Sequence, residues 1–218
     1  MGLFDKFKKK ENTEIDIQKA FEANLKYISN TDVNINDIKR QFVKSNTRFY
    51  LTIGKISCPT GNIIVSDPLA YLPSNKFCPI LSIQIPSGEY PVEIAICRSD
   101  IIGIRMCTVK LKIKETEAVS YSLAKPTNES AAFVAKDGVL SGFPVDAGMI
   151  SICDEKFPQF QRQGGDFIEW ENPKTKNKLV MVASGFGDGF YQSYWGYDSN
   201  NEICELIVPL VNPDLFGL

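Results

Sequence analysis

The sequence predicts a mainly β protein, α+β overall, built from two similar antiparallel β units packed as a sandwich or barrel-like core, with an N-terminal helical segment. Three observations carry this. From residue 48 onward, short runs rich in Val, Ile, Tyr and Phe alternate with Gly, Pro, Asn and Asp turn signals. Before residue 48 the apolar residues recur at helical spacing instead. The β region also repeats its own pattern. The expected organisation is an N-terminal helical segment over 1–46, a first β unit over 47–124, a loop or linker over 125–144 and a second β unit over 145–218, all in one compact domain. The 218 residues suit that size, and a hydrophobic content of 44% is enough for a real core.

Thr13 is placed to cap a first helix with Asp16 three residues on, and Ile17, Phe21, Leu25 and Ile28 form one apolar stripe. Asn34 or Asn36 starts a second helix with Ile35, Ile38 and Phe42 inward. Strands are expected at Phe49–Ile53, Asn62–Val65, Ile80–Ile85, Tyr90–Cys97, Ile104–Ile113 and Ala118–Leu123. Lysines at 110, 112 and 114 alternate with Val109, Leu111 and Ile113, so one face of that strand meets water. Residues 125–142 carry Pro126, Gly138 and Gly142 without periodicity and read as a loop. Strands resume at Met149–Cys153, Leu179–Ala183, Phe190–Tyr197 and Ile203–Val211, with a short helix over Asp154–Gln163 ended by Gly164-Gly165.

The repeat aligns Gly61-Asn-Ile-Ile-Val-Ser-Asp67 with Gly148-Met-Ile-Ser-Ile-Cys-Asp154. Each copy continues to a Ser-Gly pair, Ser87-Gly88 and Ser184-Gly185, then a tyrosine strand at Tyr90 and Tyr191. Each closes on a long apolar strand beginning at Ile104 and Ile203. The copies differ most at Ser184-Gly-Phe-Gly-Asp-Gly189, where extra glycines appear.

Composition excludes several chemistries. The chain has no histidine, which removes Ser-His-Asp and Cys-His arrangements and His-bearing zinc sites. No phosphate-binding loop of the G-x-x-x-x-G-K-[ST] type occurs. A net charge of −2 argues against nucleic acid as a partner. The six cysteines form no C-x-x-C pair and lie largely in apolar runs, which fits reduced, buried thiols in a cytoplasmic protein. No signal peptide opens the chain, since Asp5 and Lys6 interrupt the apolar residues, and Lys6 stands where a myristoylation motif needs Ser or Thr. Leu3, Phe4 and Phe7 beside Lys8–Lys10 are too few for stable membrane association. No cofactor or metal is expected.

Residues 151–218 hold five Lys/Arg against ten Asp/Glu, an acidic excess suited to a protein partner with a basic surface. The Ser184–Gly189 segment is the main site candidate. Gly185, Gly187 and Gly189 would let backbone amides approach a ligand, with Tyr191, Tyr194 and Trp195 as recognition surfaces. Asp146, Asp154, Ser184 and Asp188 are weak catalytic candidates if the hairpins bring them together; otherwise each aspartate closes a turn by bonding backbone amides.

Over residues 50–213 the chain resembles the bacterial proteins carrying domain of unknown function 4241. The resemblance rests on Ser87-Gly-Glu-Tyr-Pro-Val-Glu93, on Val145-Asp-Ala-Gly148, and on Ser184–Gly189 followed by Tyr191 and Tyr194. Gln192-Ser193 departs from the Pro-Val expected there, and Pro209-Leu210 from the usual Asp-Phe. That family implies no activity and no catalytic residue. The opening Met1–Phe7 also looks like the start of small bacterial proteins, some of them encoded beside toxins as immunity partners. Three roles follow as expectations: a non-catalytic protein-binding module, such as an immunity-type protein occluding a toxin; a small-ligand-binding protein or metal-dependent hydrolase using the Asp/Ser/Gly-rich loop; or an assembly protein pairing strand edges.

Overall fold

Two antiparallel sheets face one another, and two helices cover the outer side of the larger one. The computed structural model describes residues 15–72, 78–127, 134–135, 138–139, 141–157, 167–171 and 178–218. The strands are β1 (Arg48–Cys58), β2 (Ile63–Ser66), β3 (Gly88–Ser99), β4 (Gly103–Lys112), β5 (Ser120–Leu123), β6 (Val134–Ala135), β7 (Gly138–Val139), β8 (Phe143–Val145), β9 (Met149–Asp154), β10 (Phe167–Glu171), β11 (Lys178–Ala183), β12 (Gly189–Tyr191), β13 (Tyr194–Tyr197) and β14 (Ile203–Pro209). The large sheet runs β1-β3-β4-β14-β13-β5 and the small one β10-β11-β9-β2. The arrangement is therefore a sandwich and not a closed barrel. The β12–β8 and β6–β7 pairs stand apart from both sheets.

The inner faces supply the main core. Ile56, Val92, Ile94, Val109, Leu111, Trp195, Leu206 and Val208 of the large sheet meet Val65, Ile150, Ile152, Val180 and Val182 of the small one. Non-directional burial of these β-branched and aromatic side chains holds the layers together.

The internal repeat is built into the hydrogen-bond registers. Aligning Gly61–Asp67 with Gly148–Asp154 makes Val65 the counterpart of Ile152, and these two oppose each other in the β2–β9 ladder. Aligning Ile104 with Ile203 makes Val109 the counterpart of Val208, and they oppose each other in β4–β14. A residue facing its own counterpart marks a local two-fold between antiparallel strands. Each sheet contains one such point. The large sheet is correspondingly β1-β3-β4 against β5-β13-β14. Ser120–Leu123, inside the first unit as the sequence divides the chain, is bonded to β13 of the second. The matched aspartates close the pairing reciprocally. Asp154 accepts bonds from the Thr60 amide (2.9 Å), the Gly61 amide (3.2 Å) and the Thr60 hydroxyl (2.8 Å). Asp67 accepts from the Asp146 and Ala147 amides, at 3.0 and 2.6 Å.

The first helix, α1 (Ile17–Ser29), is capped by Asp16, whose carboxylate accepts the Lys19 amide; Thr13 lies outside the described residues. Its buried stripe is Ala20, Asn24 and Ile28, while Ile17 and Leu25 are exposed, so the helix is turned relative to the purely apolar reading. The cause is Asn24, which donates to the Leu210 carbonyl (3.1 Å) and accepts from the Asn212 amide (2.9 Å). Both chain ends of that bond would otherwise be buried and unpaired. The second helix, α2 (Ile35–Gln41), is capped by Asn34 and lies over the large sheet, with Ile38 packed on Tyr194 and Ile207. Gln41 anchors it by accepting the Thr108 hydroxyl at 2.7 Å and donating to the Tyr27 hydroxyl at 3.1 Å.

Elsewhere the strand pattern is modified locally. Ile80–Ile85 forms only isolated bridges, at Ile80 and Leu81, on the free side of β2. Phe190–Tyr197 breaks into β12 and β13 because the Gln192 amide bonds the Ile28 carbonyl and the Ser193 carbonyl accepts from Ala124. β8 and β10 are strands that periodicity did not mark, each only a few residues long. Asp154 ends β9 in a turn closed by the Phe157 amide (2.9 Å), and the expected helix beyond it lies outside the described residues.

Candidate functional site

Strand β9 decides the fate of the proposed aspartate site. Gly148 lies at its start and Asp154 at its end, about 20 Å apart at roughly 3.3 Å per residue. Asp146 and Ser184 sit at the first end, where the Ser184 amide bonds the Gly148 carbonyl at 3.0 Å. Asp154 is buried at the other, closing the Thr60–Gly61 turn. Asp154 therefore stands apart, while Asp146, Ser184 and Asp188 lie at the first end, where the charges of Asp146 and Asp188 both act on Tyr71. Asp146 accepts a bond from the Tyr71 hydroxyl, and that bond, burial and the charges of Asp146, Asp67 and Asp188 push the Tyr71 phenol up to about 12. Among the described residues, no group of three or more Cys, Asp or Glu side chains is placed to hold a metal ion.

The Ser184–Gly189 loop is bound into the protein's own packing. The Ser184 hydroxyl donates to the Gly187 carbonyl at 2.8 Å, and the Tyr191 hydroxyl reaches the Ser184 and Gly187 carbonyls, both at 2.7 Å. Tyr90 makes the equivalent contact in the first copy, donating to the Pro86 carbonyl at 2.5 Å. Phe186 packs in tilted contact with Phe21 and Phe216, with ring centroids at 4.7 and 5.4 Å, and the Arg105 guanidinium covers it at 5.3 Å. Gly185 has φ of +79°, and a Cβ there would lie 2.7 Å from Val211 Cγ2. Gly185, the counterpart of Gly88, thus serves close packing against the C-terminal segment, whereas the extra Gly187 has open space around it and is required by its φ of +103°. Tyr191, Tyr194 and Trp195 are each 1% exposed, so their side chains face the interior and offer no surface to a partner. Asp188 is exposed.

Three acidic residues of the C-terminal third are likewise internally engaged. Asp198 accepts the Thr116 hydroxyl and the Asn200 and Glu202 amides. Asp214 pairs with Arg40 and Arg48, and Glu202 with Lys114. The charge excess of that third does not translate into an acidic patch at these residues.

A concave surface lies elsewhere, on the outer face of the large sheet beside α2. A groove of about 430 Å³ runs between Ile38, Lys39, Phe42 and Val43 on one side and the 115–118 segment on the other. Two cross-strand rows form its floor. In the first, Glu93 lies opposite Lys110, their charged ends 3.1 Å apart, and the Lys110 ammonium sits 3.7 Å from the Phe42 ring centroid. In the second, Lys112 lies opposite Glu205, Glu205 opposite Gly196, and Gly196 opposite Tyr121.

Gly196 makes the second row possible. A Cβ there would lie 2.7 Å from Glu205 Cγ and 3.0 Å from both Tyr121 Cε1 and Ala118 Cβ. Without one, Tyr121 reaches across β13 and donates its hydroxyl hydrogen bond to Glu205. Burial, the Glu205 charge and that hydrogen bond all push the Tyr121 phenol far up, so it stays protonated and remains the donor. Glu205 is only 7% exposed, yet it lines the groove. Strand periodicity registers Lys110 and Lys112 as a wet face, but not that α2 would roof it. Glu205 and Tyr121 are 84 residues apart, and nothing local in the sequence connects them.

A family model described as protein of unknown function (DUF4241) matches residues 56–159 and 155–208 of the chain. No curated protein and no solved structure matches it.

Proposed function

The chain belongs to the DUF4241 family of proteins of unknown function, and from that premise we propose that it is a non-catalytic binding protein that takes a partner protein into the groove between α2 and the large sheet. The observation that carries this is the groove itself. It is concave, has a partly desolvated polar floor, and has exposed apolar residues at its lip, Val43 at 61% and Tyr50 at 37% exposure. Its side chains are arranged in pairs across strands, with no nucleophile activated by a neighbouring base among them. An immunity-type role, in which the partner is a toxin and the groove face occludes it, is the narrower form of this reading. Six free cysteines support a cytoplasmic setting. Among the described residues no helix is long and apolar enough to cross a membrane.

Copurification from the native host, with neighbouring gene products supplied, tests this reading. The wild-type chain is expected to retain a partner that the lip variants Val43→Asp and Tyr50→Ala lose. If no partner is retained, or if the lip variants retain it equally, the groove is not its binding face.

The volume favours a second reading, since about 430 Å³ falls within the range of small-molecule pockets. A small polar ligand would then occupy the same groove. Saturation by a low-molecular-weight fraction of cell extract, with the protein-partner experiment negative, would select it.

A further inference from the structure

We infer that the groove recognises a cationic side chain, an arginine or lysine of the partner, through Glu205. This rests on the binding reading above and adds the chemistry of the group bound.

Charge pairing inside the groove leads to it. The three lysines lining the groove each have a glutamate: Lys110 with Glu93 at 3.1 Å, Lys112 with Glu115 at 2.5 Å, and Lys39 with Glu117 at 3.8 Å. Four glutamates line it, and among the described residues Glu205 is the one with no cation at ion-pair distance, although its charge still reaches the Lys112 ammonium. It lies opposite Lys112 in the β4–β14 ladder, but that ammonium is turned to Glu115.

Among the described residues, the only hydrogen bond to the Glu205 carboxylate comes from the neutral Tyr121 hydroxyl. A carboxylate has about four acceptor sites, and a desolvated one gains most from a charged donor. Three lysines against four glutamates leave the groove with a net charge of −1, which favours a cation over an anion. The walls suit a cation as well, since Tyr50 and Tyr121 line the groove and present aromatic side chains to it. Lys110 over Phe42 already shows a cation held against a ring in this groove.

The test is a titration of the full chain with butylguanidinium, followed by amide chemical shifts, with the neutral isostere butylurea as control. Binding is expected to shift the amides of Tyr121, Gly196 and Glu205 for the cation alone. Glu205→Gln should weaken it about tenfold, the worth of one charge-assisted hydrogen bond. Glu117→Gln, at an 88% exposed side chain, should change it less than about twofold. Tyr121→Phe supplies a second arm, because it frees the carboxylate and should leave binding equal or tighter.

Equal binding of butylurea, unaltered binding to folded Glu205→Gln, or loss of binding in folded Tyr121→Phe would each overturn the assignment. A captured partner sensitive to the lip variants, together with no response to butylguanidinium, refutes the cation and leaves the binding reading standing. A Glu205-dependent response with no partner captured overturns the protein source and assigns the site to a free amine or guanidine.

Discussion

Gly196→Ala puts the outer-face geometry to a direct stability test. The new Cβ would meet Glu205 Cγ at 2.7 Å and Tyr121 Cε1 and Ala118 Cβ at 3.0 Å each. Three neighbours must move, two of them joined by the hydrogen bond that crosses this position. Inserting a methyl group into such packing costs about 1–3 kcal/mol. Against this, replacing glycine in an extended strand reduces the freedom of the unfolded chain, worth about 0.4–1 kcal/mol in the opposite direction. At the middle of these ranges the balance is a destabilisation of about 1.3 kcal/mol. For a chain of this length it lowers Tm by about 3–5 °C, measured by calorimetry or circular dichroism. The double variant Gly196→Ala/Glu205→Ala removes the closest clashing atom, so the two substitutions should be non-additive, with the alanine at 196 costing less in that background. A Gly196→Ala protein as stable as wild type, or strictly additive costs, would refute the claim that Gly196 exists to let Tyr121 reach Glu205.

Asp67→Ala and Asp154→Ala should each destabilise by about 2–4 kcal/mol in denaturant unfolding, because each leaves at least two amides, part-buried or buried, without their acceptor. Similar costs at the two positions are expected from the two-fold pairing, and a silent substitution at either would break the equivalence. Asp214 is partly desolvated, which raises its pKa, but its bonds to Arg40 and Arg48 outweigh this and hold it below the usual carboxylate value of 3.8. Its contribution to stability is therefore full above that value and lost as pH falls through the lowered one. The stability gap between wild type and Asp214→Asn should shrink in acid, and a gap independent of pH would contradict the pairing. Burial raises the phenols of Tyr191 and Tyr194 to about 12. A raised phenol favours folding below the unfolded value near 10 and loses that contribution as pH climbs through the folded one, so the phenolate absorbance of these two rings, read as the difference from Tyr191→Phe and Tyr194→Phe, should appear together with unfolding. Phenolate formation by either ring in a still-folded protein would show it to be more open than described.

The sequence by itself determined the layers and the repeat. Alternating β-branched runs such as Val109–Lys114 have a burial preference independent of partner, so strand identity was readable without knowing the neighbours. The match between Gly61–Asp67 and Gly148–Asp154 was also legible, and it became the pairing of β2 with β9.

Tertiary structure alone decided what the distinctive residues do. The Ser184–Gly189 loop stood out for its glycines, yet chain composition cannot show that Gly185 is pressed against Val211 or that Phe186 lies between Phe21 and Phe216. Asn24 rotated α1 because the carbonyl and amide it satisfies lie 186 and 188 residues away. Glu205, Gly196 and Tyr121 become a unit only through register across three strands. Periodicity reports which face of an element is buried, whereas a site depends on which faces are brought opposite each other. That is a long-range property, and in this protein it moves the best candidate site from the glycine-rich loop to the groove under α2.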